Sequence, residues 1–261
     1  MINQKNLKKF ALLSINKINS SKLNKNYFTK PFKHLVIDNF FTTKIANECL
    51  KNFPDTDSRT WLHSNDSDIE IKQRSNWESE FDIPEGIINA IRIFNSSLFL
   101  KSISKRFNIH KILPDPYFTG GGLNLTQKNG LLDVHIDGNY HDASDLNRRL
   151  NAILFLNKNW KPEWKGELGL YDKKGIKCLK KIQPIFNRLF VFDTHDLSFH
   201  GLPDPLNFPK NKPRRSIILY YYTKAMREKQ NIKVTRPHSA LWIKRGVKDK
   251  KGKKLREIIQ N

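Results

Sequence analysis

The segment Leu132-Asp133-Val134-His135-Ile136-Asp137-Gly138-Asn139 places an imidazole and a carboxylate two residues apart. Alternate side chains of an extended strand point to the same face, so His135 and Asp137 are predicted to bind one metal ion together. The best candidate for a third ligand is His200, which lies in Leu197-Ser198-Phe199-His200-Gly201. Two imidazoles and one carboxylate on one face of a metal are typical of non-haem iron sites that keep coordination positions open. His195, five residues before His200, is a competing third ligand.

A second pattern begins fourteen residues after His200. Arg214-Arg215-Ser216 opens the apolar and aromatic run Ile217 to Tyr222, which predicts a strand. Arg214 and Ser216 then share one face, where a planar guanidinium and a hydroxyl suit a carboxylate ligand. Arg215 is the alternative arginine, but strand alternation turns its side chain to the opposite face.

These two patterns belong to a longer ordered series of motifs. In chain order they are Gly120-Gly121-Gly122-Leu123, His135-x-Asp137, Arg149-Leu150-Asn151, Phe155-Leu156-Asn157, Trp164-Lys165-Gly166-Glu167-Leu168, Phe192-Asp193-Thr194, His200-Gly201 and Arg214-x-Ser216. The series resembles the Fe(II)/2-oxoglutarate-dependent oxygenases, specifically the branch similar to prolyl 4-hydroxylases. An opening strand of that family is expected within Pro31 to Phe40.

The resemblance implies a dioxygenase that uses Fe(II), with 2-oxoglutarate and O2 as cosubstrates and ascorbate as a reductant. It would hydroxylate an unidentified primary substrate and release succinate and CO2. Its implied site residues are the metal ligands His135, Asp137 and His200, and the 2-oxoglutarate-binding residues Arg214, Ser216 and Asn151. Prolyl hydroxylases of the animal type commonly have Lys where this chain has Arg214. The resemblance therefore supports the oxygenase class more than prolyl specificity.

The order of helical and strand patterns predicts an α+β fold. Apolar residues repeat with helical spacing over 39–53 and again after Asp82, where Ile87, Ile91, Phe94 and Leu98 are expected to point inward. Short strand patterns follow, beginning with a predicted strand over Tyr117 to Thr126. This order indicates a double-stranded β-helix, or jelly roll, over about 115–223, buttressed by N-terminal helices.

The chain is predicted to have three parts: a basic amphipathic arm at 1–30, an oxygenase domain at 31–223 and a basic extension at 224–261. The net charge of +22 is concentrated at the ends, with +8 in 1–35 and +10 in 224–261. Basic ends of this kind predict an anionic partner. The simpler alternative is a lysine-rich surface that is only solvated. The last apolar fragment, Leu255 to Ile259, is expected to be a short helix or a frayed end.

Composition excludes several classes of protein. Two cysteines make no disulfide framework, and no apolar stretch reaches the roughly 20 residues of a transmembrane helix. Residues 1–30 lack the pattern of a signal peptide, so we expect a soluble, cytoplasmic protein. Substrate contacts are expected from the variable loops at about 55–80, 138–148 and 202–213. Two other functions remain open: a cupin-type jelly roll with more His ligands and a Glu, and a non-catalytic module that binds a polyanion through its basic ends.

Overall fold

The computed structural model describes residues 2–20, 25–67, 69–225, 237–248 and 254–260. Its four α-helices are α1 (Gln4–Asn19), α2 (Thr43–Lys51), α3 (Glu85–Phe94) and α4 (Ser97–Phe107). Its strands are β1 (Tyr27–Phe28), β2 (His34–Ile37), β3 (Trp61–Asp66), β4 (Glu70–Ser75), β5 (Leu113–Pro114), β6 (Gly122–Thr126), β7 (Leu131–Ile136), β8 (Tyr140–His141), β9 (Leu146–Phe155), β10 (Leu168–Tyr171), β11 (Cys178–Ile182), β12 (Arg188–Asp193), β13 (His200–Leu202), β14 (Arg214–Thr223), β15 (Leu241–Lys248) and β16 (Lys254–Gln260).

The strands form one strongly curled antiparallel sheet. Its main path runs β1-β2-β12-β9-β14-β6-β4-β7-β13-β10-β11, so strands far apart in sequence become neighbours. The curl brings β7, β10 and β13 over β6, β9 and β14, and side chains of all six strands line one internal cavity. The sheet is therefore a jelly roll with an interior ligand space, as the sequence predicts.

Alternate side chains of strand β14 point to opposite faces of the sheet. Ile217, Leu219 and Tyr221 are buried against the helices in the main hydrophobic core. The alternate residues, among them Ser216 and Tyr220, line the internal cavity instead. This period of two follows from the strand backbone and explains why a nearly continuous apolar run carries a cavity-lining set.

Helix α1 packs on the rest of the fold. Its Ile15 and Ile18 are buried in the main core, and Arg106 on α4 donates from Nη2 to the Ile18 carbonyl oxygen at 2.6 Å. The helical part of the predicted N-terminal arm, residues 1–30, therefore packs against the core of the fold. Its boundary at residue 30, like that at residue 224, stays a prediction. No helix in the described residues is long and apolar enough to cross a membrane.

Three local predictions are wrong. Leu98 is 37% exposed because a new helix begins at Ser97, capped by Ser96, and this resets which face points inward. The strand predicted from Tyr117 begins only at Gly122, since Phe118 and Gly120 both have positive φ, at 52° and 72°. The terminal fragment expected to be a short helix or a frayed end is strand β16, because β15 supplies its backbone hydrogen-bond partners.

Candidate active site

Strands β7 and β13 bring the predicted metal ligands together. His135 pairs directly with His200 across the two strands, and Asp137 follows β7 by one residue. Nε2 of His135 lies 3.6 Å from Asp137 Oδ1, and Nε2 of His200 lies 3.7 Å from Asp137 Oδ2. One ligand atom from each of the three residues lies within 4.8 Å of the others. Such a cluster has the size and chemistry of a mononuclear metal site.

Backbone carbonyl groups fix how both imidazoles are turned. Nδ1 of His135 is 2.8 Å from the carbonyl oxygen of Asp133, and Nδ1 of His200 is 2.9 Å from that of Ser198. A carbonyl only accepts, so each Nδ1 carries the proton and each Nε2 presents its lone pair toward the cluster. This arrangement is the usual support of metal-binding histidines.

The charge state of the cluster also suits a metal. Burial, together with the neighbouring His135, lowers the pKa of His200 to about 4, so its imidazole is neutral at physiological pH. Burial alone would raise the pKa of Asp137, but His200 and His135 outweigh it and hold that pKa below its usual value. Two neutral imidazoles and an ionised carboxylate are the forms that bind a divalent cation.

Gly201 explains why β13 can approach β7 so closely. A Cβ on Gly201 would lie 2.6 Å from the carbonyl oxygen of Asp133 and 3.0 Å from that of Leu132. Neither backbone oxygen can move without displacing β7. The glycine after His200 is therefore a packing requirement of the site.

The internal cavity of about 70 Å³ begins at the His-Asp-His cluster and ends at Arg214. Arg214 is buried, its Nε donates to the Gly166 carbonyl oxygen at 2.9 Å, and no acidic residue in the described chain pairs with it. Burial lowers the pKa of Arg214 to about 10, which still leaves it charged at neutral pH. Ser216 Oγ and Asn124 Nδ2, on the same cavity wall, are buried without a hydrogen-bond partner. A buried, unpaired cation beside unsatisfied polar atoms indicates an anionic ligand.

Asn151 lies nearer to the metal cluster than its predicted role requires. Its Nδ2 donates to Asp137 Oδ2 at 3.1 Å, which orients the carboxylate. Its Oδ1 faces the cavity region without a partner. The predicted contact with a 2-oxoglutarate carboxylate stays a prediction.

The competing candidates lie elsewhere. Nδ1 of His195 accepts from the backbone N–H of Leu197 at 3.1 Å, and His195 is not among the clustered ligands. The guanidinium of Arg215 lies 5.8 Å from the ring of Phe53, on the helical side of the sheet. Strand alternation thus separates Arg214 from Arg215 as the sequence indicates.

The C-terminal segment contributes a residue that sequence reasoning missed. Strand β15 pairs with the edge of β7, with Trp242 opposite His135, and the two rings stack with centroids 4.5 Å apart. The backbone N–H of His238 donates to Asn139 Oδ1 at 3.0 Å and holds the same segment against the site. The only sequence signal was a tryptophan in a basic tail, and its register on β7 is not encoded locally.

A wider mouth of about 640 Å³ opens from the metal cluster to the surface. Its lining comes from the β3/β4 hairpin, the segment 138–148, β14 and the C-terminal segment. Two of the three predicted substrate loops are therefore at the mouth. Residues 203–213 do not line it; Leu206 and Phe208 are instead buried in a second hydrophobic cluster.

Comparison with known proteins supports this interpretation of the site. Residues 121–222 match the model of the 2OG-Fe(II) oxygenase superfamily, where 2OG is 2-oxoglutarate. This part of the chain is a 2OG-Fe(II) oxygenase domain. The matched range contains His135, Asp137 and His200 as well as Arg214. The predicted family is thereby confirmed.

Solved structures share the fold of this oxygenase. A prolyl hydroxylase from Trichoplax adhaerens, in complex with a hypoxia inducible factor peptide, is 18% identical with a TM-score of 0.52, over 85% of this chain and 94% of that one. A prolyl-4-hydroxylase from Pseudomonas putida is 15% identical with a TM-score of 0.54, over 82% and 100%. A prolyl 4-hydroxylase from Phytophthora capsici is 16% identical with a TM-score of 0.51, over 85% and 70%. A search of curated protein sequences gives no significant match.

Proposed function

We propose that this oxygenase is an Fe(II)- and 2-oxoglutarate-dependent dioxygenase that hydroxylates a primary substrate and releases succinate and CO2. The observation that carries the proposal is one cavity that joins the His135-Asp137-His200 cluster to Arg214. Arg214 is buried and forms no ion pair with an acidic residue of the described chain. A site with a metal at one end and a cation at the other matches a 2-oxoacid with a second carboxylate.

The residues present fit both the metal and the cosubstrate. His135, Asp137 and His200 would hold Fe(II), and when bound, the iron with 2-oxoglutarate and O2 supplies the oxidising chemistry. Arg214 would bind the far carboxylate as a planar, permanently charged fork, and Ser216 would add its unpartnered hydroxyl.

The rest of the pocket wall would keep this chemistry in place. Asn151 orients the Asp137 carboxylate through its Nδ2, and Trp242 covers one face of the His135 ring. The mouth above the cluster would admit the primary substrate. The structural neighbours make a prolyl residue of a peptide one candidate substrate, and ascorbate a reductant worth including in assays.

The cupin-type alternative has less support. No additional His or Glu joins the three clustered ligands in the described residues, and a cupin scheme gives Arg214 no role. Binding of a polyanion by the basic ends remains a separate prediction, because much of 224–261 lies outside the described residues.

A turnover assay tests the proposed reaction. The protein is incubated with Fe(II), 2-oxoglutarate, O2 and ascorbate, with and without prolyl peptides, and succinate is quantified by mass spectrometry. We expect succinate from the wild type and none from Asp137→Ala, with the folding of the variant checked by circular dichroism. Equal succinate from both proteins, or none from a wild type that binds neither Fe(II) nor 2-oxoglutarate in calorimetry, would reject the proposal.

A further inference from the structure

The mouth above the metal cluster contains cationic side chains that the proposed cosubstrate does not use. Arg148, near the start of β9, is one of two half-buried arginines that line this mouth. Its guanidinium carbon lies 3.9 Å from the ring centroid of Tyr220 and 5.6 Å from that of Tyr222. Its Nη2 donates to the Tyr222 hydroxyl at 3.2 Å. These contacts hold the guanidinium in a fixed position without neutralising its charge.

Arg148 also keeps unused hydrogen-bonding capacity. Its Nε is buried and has no partner, and no acidic residue of the described chain lies within ion-pair distance. A buried N–H donor without a partner is costly, and Arg148 has such a donor at Nε. A ligand that accepts hydrogen bonds at this point would remove that cost.

Arg74, on β4, is the second arginine of the mouth. A Cβ built on Gly120 would lie 3.5 Å from Tyr220 Cε2 and 4.0 Å from Arg74 Nη1, so both arginines border the same tyrosine ring. Arg74 forms no ion pair with any described residue. The two cations thus converge on one part of the mouth from two different strands.

The acidic residues of the mouth leave this charge uncompensated. Glu70 is paired with Lys72 at 2.7 Å, and Asp142 is exposed to solvent. Asp137 belongs to the metal cluster, where a bound divalent cation would more than neutralise it. The remaining field at the mouth is therefore positive, and a cleft of this kind concentrates anions.

We propose that Arg148 and Arg74 bind an oxyanion of the primary substrate, a carboxylate or a phosphate, beside the metal cluster. This inference rests on the proposed function, because the oxyanion is assigned to the hydroxylated substrate. The anion site itself is defined by the two arginines. The fork geometry of Arg matches both oxyanions, and two arginines around one aromatic ring would fix the orientation of the group.

Matched pairs of capped single residues test this proposal. The probes are N-acetyl, C-methylamide derivatives of Asp against Asn, and of phosphoserine against Ser. Each is titrated by calorimetry into the full-length protein loaded with Mn(II) and saturating 2-oxoglutarate, which keeps the Arg214 site occupied. We expect at least one acidic probe to bind about tenfold or more tightly than its neutral counterpart, and added NaCl to reduce the difference. The pair that shows the difference identifies carboxylate or phosphate.

Variants show whether the two arginines cause the preference. Arg148→Met and Arg74→Met should each reduce the preference, whereas Arg92→Met, on the exposed face of α3, should not. Melting curves show which variants fold, and Arg74→Met keeps the test valid if Arg148→Met does not. Equal binding within both pairs, no measurable binding of either acidic probe, or a preference unchanged in a folded variant overturns the proposal. If 2-oxoglutarate fails to bind while the preference persists, the proposed function fails and the anion site stands.

Discussion

Replacing Arg214 by Met should separate cosubstrate binding from stability. Met keeps most of the apolar stem but removes the charge that faces the end of the cavity. Breaking a buried ion pair by removing one partner typically costs about 3–5 kcal/mol, so the affinity for 2-oxoglutarate should fall by about two to four orders of magnitude. The affinity is measured by anaerobic calorimetry in the presence of Mn(II).

The same substitution should leave the ligand-free protein more stable. Burial lowers the pKa of Arg214 from 12.5 to about 10, which corresponds to about 3 kcal/mol of folding free energy spent on keeping the buried group charged at neutral pH. Loss of the hydrogen bond to the Gly166 carbonyl oxygen and of some packing should reduce this gain in stability by about 1–2 kcal/mol. We therefore expect a net gain of about 1–2 kcal/mol in the free energy of unfolding without ligand, measured by urea titration.

Arg215→Met is the matched control, because its guanidinium lies on the opposite side of β14 near Phe53. It should bind 2-oxoglutarate as the wild type does. The reasoning is refuted if Arg214→Met binds 2-oxoglutarate within about threefold of the wild type, or if both variants lose the same affinity.

Three other changes test separate parts of the site and fold. Trp242→Ala should weaken metal binding by about tenfold, because the stacked indole ring supports His135, and Trp242→Phe should retain most of the affinity. Equal metal affinity of the wild type and both variants in a competition titration would disprove this support. Gly201→Ala should retain the circular dichroism of the fold but lose metal affinity, because its Cβ forces β13 away from β7; an unaltered metal titration would show that the strands adapt. Burial lowers the pKa of His34 to about 4, so between pH 6.5 and pH 4 the unfolded state binds more protons and acidification destabilises the fold. His34→Asn should lessen this loss of stability in acid by about 3 kcal/mol relative to His110→Asn, a control at an exposed site. Parallel curves of urea stability against pH would argue against this prediction.

Local patterns predicted much of the candidate site. The spacing of His135 and Asp137 and the alternation of Arg214 and Ser216 depend only on strand geometry, which holds wherever the strand lies. The choice of His200 over His195 required the family resemblance as well. In the structure, Gly201 supplies a physical reason, because only a residue without Cβ lets that strand approach β7.

Features that depend on long-range pairing were not predictable. Trp242 reaches His135 only because β15 adds to the edge of β7, more than 100 residues earlier in the chain. Arg74 enters the mouth only because β4 pairs with both β6 and β7. The sequence of the terminal fragment by itself predicts only a short helix or a frayed end, whereas its strand conformation comes from pairing with β15.

The central claim is that His135, Asp137 and His200 hold an iron that 2-oxoglutarate chelates. The most direct measurement is an anaerobic Fe(II) titration in the presence of 2-oxoglutarate, following the weak visible charge-transfer band of a chelated 2-oxoacid. We predict that the wild type and His195→Ala show the band and that folded His200→Ala does not. A band that persists in His200→Ala, or that is absent from the folded wild type, would contradict the assignment.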